Sequence, residues 1–358
     1  MSEETNFPQT TLADERGRVS ESSALARNER VVLTRFGGAE NLSLVRDEAL
    51  AQPSAGQVRV RVLAAGVQFT DIIIRKGQYP DLKEKPPFTP GYDVIGEVDA
   101  IGEGVRGLSI GDRVADMTMI GSYAKYRLLE AQKVTPVPLE VDPAQASALV
   151  LGGMTAYQLL HRHAQVQPGQ TVLIHGAAGA VGQLLLELGR HAGLRMFATA
   201  RAPHAELIRS FGATAIDYER EDFAQVHPEG FDVIFDGIGE RGFARSWAAL
   251  KKGGFLSAYG FQQGVKSNAP FLKVGFWLGR VYLWNALPNG KRAGFYSISA
   301  MRKTHPDWFR EDLSALFSLL QEGKIHPQIQ ERISLADVAE AHRRLEKGGL
   351  NGKLVIVP

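Results

Sequence analysis

The residues with the clearest chemical purpose are gathered in one run, Ile174-His175-Gly176-Ala177-Ala178-Gly179-Ala180-Val181-Gly182. An apolar stretch at 171–175 leads straight into a glycine-rich turn, after which Val181, Leu185 and Leu188 recur at helical spacing. A strand, a glycine turn and a helix N-terminus in that order let a pyrophosphate approach backbone N–H groups where aligned peptide dipoles favour an anion. Gly179 gives the close approach and Gly182 the tight seat of helix on strand, with Gly176, Ala178, Ala180 and Val181 completing the loop. The pattern is A-x-G-x-x-G, with Ala177 at the first glycine position, so the context rather than the glycine count points to a dinucleotide. A purely structural turn is the bland alternative. An NAD site usually carries an acid roughly 20 residues beyond the loop for the ribose 2′-hydroxyl. Here the sequence offers Ala198-Thr199-Ala200-Arg201-Ala202. Arg201 can make charge-assisted hydrogen bonds to a 2′-phosphate, with Thr199 as a second donor, so NADP is the expected cofactor. A solvated surface arginine and an ordinary strand threonine are the competing readings.

Other chemistries are excluded by residue type. The chain has no cysteine, which removes disulfides, thiol nucleophiles, iron–sulfur clusters and thiolate zinc sites. His161 and His163 flank Arg162, and alternate positions do not share a helical face. His175 ends a buried strand and reads as a satisfied core or cofactor-adjacent histidine rather than a base. No Ser-His-Asp or paired-carboxylate arrangement emerges.

The elements that must hold this loop are legible in outline. Short β-rich runs at 31–34, 58–63, 94–101 and 125–129 are punctuated by Gly and Pro, which predicts a barrel-like unit. From 171 onward strands and helices alternate, with a helix over 180–191 and strands at 194–200, 231–236 and 254–259, which predicts a parallel sheet with covering helices. An apolar segment at 270–288 contains Phe276, Trp277, Leu278, Val281, Tyr282, Leu283 and Trp284, but Lys273 and Arg280 interrupt it and argue against a membrane span. It reads as an interface or cleft-lining helix, with contact at a membrane surface as the lesser alternative. Helices at 307–322 and 335–346 and a strand at 353–357 close the chain.

The 358 residues, 44% apolar and 22% charged, suit two globular domains, and a formal charge of +2 gives no reason to expect a nucleic-acid partner. The acid-bearing first thirty residues fit neither a signal nor a transit peptide and read as a polar extension of a cytoplasmic protein.

Further motifs stand in a telling order: Ala65-Gly66-Val67-Gln68-Phe69-Thr70-Asp71, Ile74-Arg75-Lys76-Gly77-Gln78-Tyr79-Pro80, Pro90-Gly91-Tyr92-Asp93, Gly111-Asp112-Arg113-Val114, Gly153-Met154-Thr155-Ala156-Tyr157, the glycine loop and Asn351-Gly352-Lys353-Leu354-Val355. Over residues 31–358 this resembles the medium-chain dehydrogenase/reductase superfamily, and within it the zinc-independent quinone oxidoreductase branch with its zeta-crystallin-like and vesicle amine transport protein-like members. The resemblance implies an α/β protein. A GroES-like β-rich catalytic domain at 31–152 and 296–358 would enclose a Rossmann NADP-binding domain at 153–295, after a flexible extension at 1–30. Zinc-dependent members place Cys and His where this chain has Gln68 and Phe69, and His-Glu where it has Tyr92-Asp93, so no metal is expected. The resemblance further implies cofactor contacts from Tyr79, Thr155, Tyr218, Gly239, Tyr259, Gly260, Phe261 and Asn351, beside the loop residues. Local packing of the tyrosines and ordinary turns at the glycines are the alternatives.

The reaction implied is hydride transfer from NADPH to a quinone or a conjugated enone, whose oxygen gathers charge and needs a donor. Tyr79 and Gln68, with Tyr259 behind them, are the expected donors, although water could serve. The branch commonly has Asn at the position of Gln68 and often Tyr at that of Ile73, which points here to a more apolar pocket. Asp71 reads as a buried acid that shapes the loop. Two alternatives stand beside this reading: an enoyl reductase of a polyketide- or lipid-type pathway, and an NADPH-binding protein with little turnover that works through partner or membrane contact at 270–288. A homodimer is implied by the resemblance.

Overall fold

A computed structural model describes residues 27–46, 49–239, 241–260 and 271–358. Strands β1 (Glu29–Leu33) and β2 (Leu42–Arg46) form an antiparallel ribbon. It leads into β3 (Gln57–Gly66), the helix α1 (Phe69–Arg75), β4 (Asp93–Ile101), β5 (Arg113–Met117), β6 (Tyr126–Glu130) and β7 (Thr135–Pro136). The antiparallel pairs β3–β4, β3–β6, β4–β5 and β5–β7 build one sheet, in which Val58, Val60, Val62, Val94 and Ile95 are buried. The chain returns to it at its far end. β14 (Ile329–Ile333) pairs in parallel with β15 (Lys353–Ile356), and β15 pairs antiparallel with the end of β3, setting Val355 opposite Gly66. The β-rich unit is therefore closed by the C-terminal strand, and Lys353 is carried beside the Gly66–Asp71 segment.

Between these halves lies a six-stranded parallel sheet of β8 (Thr171–His175), β9 (Arg195–Ala200), β10 (Thr214–Asp217), β11 (Phe231–Asp236), β12 (Leu250–Ala258) and β13 (Arg292–Phe295). Its order, β10-β9-β8-β11-β12-β13, reverses between β8 and β11. In open α/β sheets that reversal opens a crevice at the carboxyl ends of the strands. Every residue of β8 is buried, as expected for a strand covered on both faces, and the run Thr-Val-Leu-Ile-His is correspondingly free of polar alternation. The helix α2 (Ala180–His191) follows β8 directly and buries Leu184, Leu185, Leu186 and Leu188. The chain is thus an α/β protein with a GroES-like β-rich part and a Rossmann-type parallel sheet.

The helix α3 (Phe271–Leu283) lies before the edge strand β13. Val281 is buried while Phe276, Tyr282 and Leu283 are exposed, and no helix among the described residues is long and apolar enough to cross a membrane. Beyond β13 come α4 (Ile298–Thr304), α5 (Pro306–Gln321) and α6 (Val338–Lys347). The α5 helix buries Phe309, Leu313, Leu316 and Phe317. It also offers the buried Asp312, which accepts from Gln158 Nε2 at 2.9 Å and from Arg162 Nη2 at 2.7 Å. Asp312→Ala would strand those donors, so it should cost about 3 kcal/mol, the lower end for a broken buried pair because Arg162 is partly open to water. Chemical denaturation of the two proteins measures the difference.

Candidate functional site

Five consecutive strand ends face the crevice, and each hands the chain to residues that sequence reasoning singled out. After β8, Gly176 adopts φ +65°, a left-handed conformation that favours glycine. The loop is tied down by Ala177 N–H donating to Thr199 O at 3.2 Å and by Gln183 Nε2 donating to Ala178 O at 2.7 Å. At Gly182 a Cβ would lie 2.6 Å from Ala177 Cα and from Gly176 O, so only glycine lets the helix sit this close to the loop. Gly179 is the N-cap of α2 with no side-chain cap, and Gly179 and Ala180 are exposed. The N–H groups of Ala180, Val181 and Gly182 belong to the first turn, where no intrahelical acceptor exists, so the arrangement fits a pyrophosphate.

At the next two strand ends, Ala200 of β9 is paired with Asp217 of β10. The residue after each, Arg201 and Tyr218, therefore leaves the sheet side by side, and both are exposed. Thr199 requires a correction. Its side chain is buried and bonded to His175 Nδ1 at 2.9 Å, not offered to a phosphate. The reason is a buried network that joins β8, β9, the end of β11 and the following helix Arg241–Ala248. Ser246 Oγ donates to Asp236 Oδ2 at 2.7 Å and lies 3.2 Å from His175 Nε2. With the serine proton on the carboxylate, His175 Nε2–H donates to Ser246, and Nδ1 accepts from Thr199. Burial pushes the His175 pKa down, with Asp236 opposing, and this neutral tautomer satisfies every member. Asp236 Oδ1 then accepts the N–H groups of Ile238 and Gly239 at 2.9 and 3.3 Å, fixing the turn in which Gly239 sits at φ +90°.

After β12, Tyr259 donates its N–H to Asp236 O at 3.0 Å and lays its ring on Gly237, where a Cβ would come 2.8 Å from Cζ. Burial raises the Tyr259 phenol above its ordinary range. Gly260 backs onto Gly237 O, which a Cβ would approach at 2.7 Å. Phe261 lies outside the described residues. Thr155 is buried near Tyr296, whose hydroxyl donates to Gln158 Oε1 at 2.9 Å. Asn351 is exposed just before β15, its N–H held by Gln330 Oε1 at 2.8 Å.

On the β-rich side the controlling group is Asp93, fully buried. Its Oδ1 accepts Gly66 N–H at 2.7 Å, while Oδ2 accepts Gln68 Nε2 and lies 3.6 Å from Lys353 Nζ. Burial pushes the Asp93 carboxyl up and the Lys353 ammonium down, and their mutual attraction counters both. Gly66 makes room for this, since a Cβ there would run into Lys353 Cε. Gln68, expected to present its amide to a substrate oxygen, is buried and gives one of its two Nε2 hydrogens to Asp93. Asp93 was legible as a residue, but its partnership with a lysine 260 positions away (353 − 93) was not.

The same cluster does not fit a metal. Asp93 already accepts two donors and has the Lys353 ammonium 3.6 Å away, and Tyr92, the neighbouring position, is fully buried with its hydroxyl 2.7 Å from that of Tyr79. Among the described residues no group of three His, Cys, Asp or Glu could hold an ion. Tyr79 remains half-buried, its phenol raised by burial, with rings of Tyr79 and Tyr92 edge to face at 5.9 Å. Asp71 is buried and shapes the loop: Oδ2 accepts Gln68 N–H at 2.8 Å and Tyr123 Oη–H at 2.9 Å. His163 is half-buried, bonded to Ser257 Oγ at 2.8 Å and pushed down to about 4 by burial.

Comparison with known proteins gives a uniform result. Residues 54–139 match the family described as alcohol dehydrogenase GroES-like domain, and residues 211–356 the family described as zinc-binding dehydrogenase. The chain is 30% identical to a 2-haloacrylate reductase of Burkholderia over 343 residues, 91% of this chain and 98% of that protein. It is 30% identical to a quinone oxidoreductase of Pseudomonas aeruginosa over 338 residues, 92% and 99% of the two chains. Among solved structures, Escherichia coli quinone oxidoreductase complexed with NADPH superposes with a TM-score of 0.81 at 26% identity, covering 92% of this chain and all of that one (100%).

The buried acid gives a pH-dependent expectation. Burial, with the Asp93 charge adding to it, raises the Asp71 carboxyl to about 7. An unfolded chain releases that proton near ~3.9. Between those values the folded state holds the extra proton, so Asp71 subtracts stability increasingly as pH rises from about 4 to about 7, and no further above it. Asp71→Asn should therefore gain on the wild type across that window, by a few kcal/mol at most, in denaturation midpoints measured at stepped pH.

Proposed function

Because the chain belongs to the medium-chain dehydrogenase/reductase superfamily, we propose that it is an NADPH-dependent oxidoreductase that reduces a quinone or conjugated enone without a metal ion. The observation that carries the reading is the convergence at the sheet's carboxyl edge of uncapped α2 N–H groups with the adjacent, exposed Arg201 and Tyr218. When bound, NADPH supplies the hydride. The loop Gly176 to Gly182 would hold the pyrophosphate and Arg201 with Tyr218 the 2′-phosphate. Gly239, Tyr259, Gly260 and Tyr79 would approach the nicotinamide end, and Asn351 would close over the cofactor from the C-terminal strand.

The protein's part in the chemistry is to bring donor and acceptor together and to answer the charge that develops on the acceptor oxygen. Tyr79 is the residue we assign to that oxygen, since Gln68 is held by Asp93 and Tyr92 is sealed in the interior. We place the catalytic domain at 31–152 and 296–358 and the NADP-binding domain at 153–295. A cytoplasmic homodimer completes the proposal, with the open edge at β13 and the exposed apolar side chains of α3 as its supporting features. The same exposed residues, Phe276, Tyr282 and Leu283, favour a second reading as an NADPH-binding protein acting at a membrane surface.

Purified protein with a chelator present should oxidise NADPH in the presence of a planar quinone or a simple enone. NADPH binding without turnover of either, together with co-sedimentation on liposomes, would favour the second reading. Arg201→Glu should weaken NADPH binding about tenfold or more while leaving NADH binding close to that of the wild type, since it removes a charged hydrogen bond that only the 2′-phosphate makes. Equal losses for both nucleotides would count against the placement of Arg201.

A further inference from the structure

We propose that Arg302 is a positioning residue of this reduction: through it, one face of α4 sets the Tyr79–Tyr92 pair against the carboxyl edge of the parallel sheet. The inference rests on the assignment of Tyr79 to the acceptor oxygen. The helix α4 follows β13 closely and is tied to the sheet by Tyr296, whose N–H donates to Ala258 O at 2.7 Å, one residue before Tyr259. Ser299, Arg302 and Lys303 stand at i, i+3 and i+4 and so share one face of the helix. All three side chains reach across to the β-rich side.

Arg302 makes the deepest of these contacts. Its Nη2 donates to Asp116 Oδ1 and its Nη1 to Met117 O, 186 and 185 residues away, and its guanidinium lies 4.3 Å from the ring centre of Phe309. Met117 pairs with Asp93 in the β4–β5 ladder. The next two N–H groups, of Thr118 and Met119, both donate to Tyr92 O, at 2.8 and 3.2 Å. Met119 does so at φ +69°, a backbone conformation uncommon outside glycine. Tyr92 Oη in turn stands 2.7 Å from Tyr79 Oη. The same face of α4 reaches the other end of the pair, since Ser299 Oγ donates to Asp81 Oδ2 and Lys303 Nζ lies 3.9 Å from Oδ1, two residues beyond Tyr79.

The Arg302–Asp116 pair is a poor source of stability. Its side chains are 18% and 7% exposed, and taking both charges out of water cancels much of their attraction, so an apolar contact would join the two surfaces as well. What an apolar contact lacks is direction. A planar guanidinium bonded at once to a carboxylate and a carbonyl fixes distance and angle together. That matters for a donor to a developing oxyanion, where a displacement of about 1 Å costs on the order of a hundredfold in rate.

The test is a double-mutant cycle in the full chain between Arg302 and Tyr79, assayed with NADPH and an enone. Arg302→Met should lower kcat about tenfold while leaving the Kd for NADPH within about twofold of wild type. In the Tyr79→Phe background the same substitution should cost less than about twofold, because the group it positions is already gone. Equal losses in the two backgrounds, or a wild-type kcat in Arg302→Met, would overturn the inference. Asp116→Asn keeps an oxygen for Arg302 and should hold kcat within about threefold of wild type, whereas Asp116→Ala should repeat the tenfold loss. Equal losses in those two variants would overturn a geometric role. A second readout needs no turnover: the ring-carbon NMR signal of Tyr79, assigned by its loss in Tyr79→Phe. Arg302→Met should shift that signal and Asp116→Asn should leave it in place, and a signal unmoved by Arg302→Met would overturn the inference. A wild type that binds NADPH but reduces neither acceptor, or a wild-type kcat in Tyr79→Phe, would instead overturn the assigned reaction, leaving the Tyr79 signal to decide the positioning.

Discussion

A carboxylate with no access to water needs compensation, and the way Asp93 obtains it sets the character of the whole β-rich side. Its three partners come from three places: the end of β3, the turn into α1 and the start of the C-terminal strand. The last of these makes residue 353 part of the same interior as residue 66. Closure of the unit by β15 is therefore electrostatic as well as hydrogen-bonded. Lys353 supplies the positive charge that a buried anion demands. Once it does, the oxygens of Asp93 are occupied by Gly66 and Gln68, and Gln68 has one amide hydrogen spent on this cluster. On the proposed reading, the half-buried phenol of Tyr79 answers the charge on the substrate oxygen.

The nucleotide side shows the same principle with neutral groups. Asp236 is buried at the end of β11, and its lone pairs are met by two backbone N–H groups and one serine. Through Ser246 and His175 the network reaches Thr199, one residue short of the strand end that presents Arg201. A turn placed near the nicotinamide end and a strand placed near the phosphate end are thus referenced to one rigid cluster. Such a scaffold would hold the two ends of the proposed cofactor site in fixed relation.

Many of the strands, the glycine loop and the presence of a parallel sheet were legible because they rest on local patterns: continuous apolar runs, glycine at turns and helical spacing after the loop. Gly176 to Gly182 and Arg201 follow strand ends, as that reading had them, and Tyr218, which only the resemblance singled out, follows the neighbouring one. What sequence could not show is where buried polar side chains spend their hydrogen bonds. Thr199 looked like a phosphate donor and Gln68 like an oxyanion donor because both residue types can donate. His175 and Ser246 stand 71 residues apart, and Gln68 and Asp93 stand 25 apart, so only tertiary packing brings them into contact.

The central claim is that hydride passes directly from the cofactor to carbon or oxygen of a conjugated acceptor, with the protein supplying geometry and a proton. Mass spectrometry of the product formed from NADPH deuterated at C4, with metal-stripped protein and an enone acceptor, tests it most directly. The account predicts one deuterium on the β-carbon of the reduced product for each transferable label consumed. Product without the label, or label transfer that appears only when zinc is restored, would contradict it.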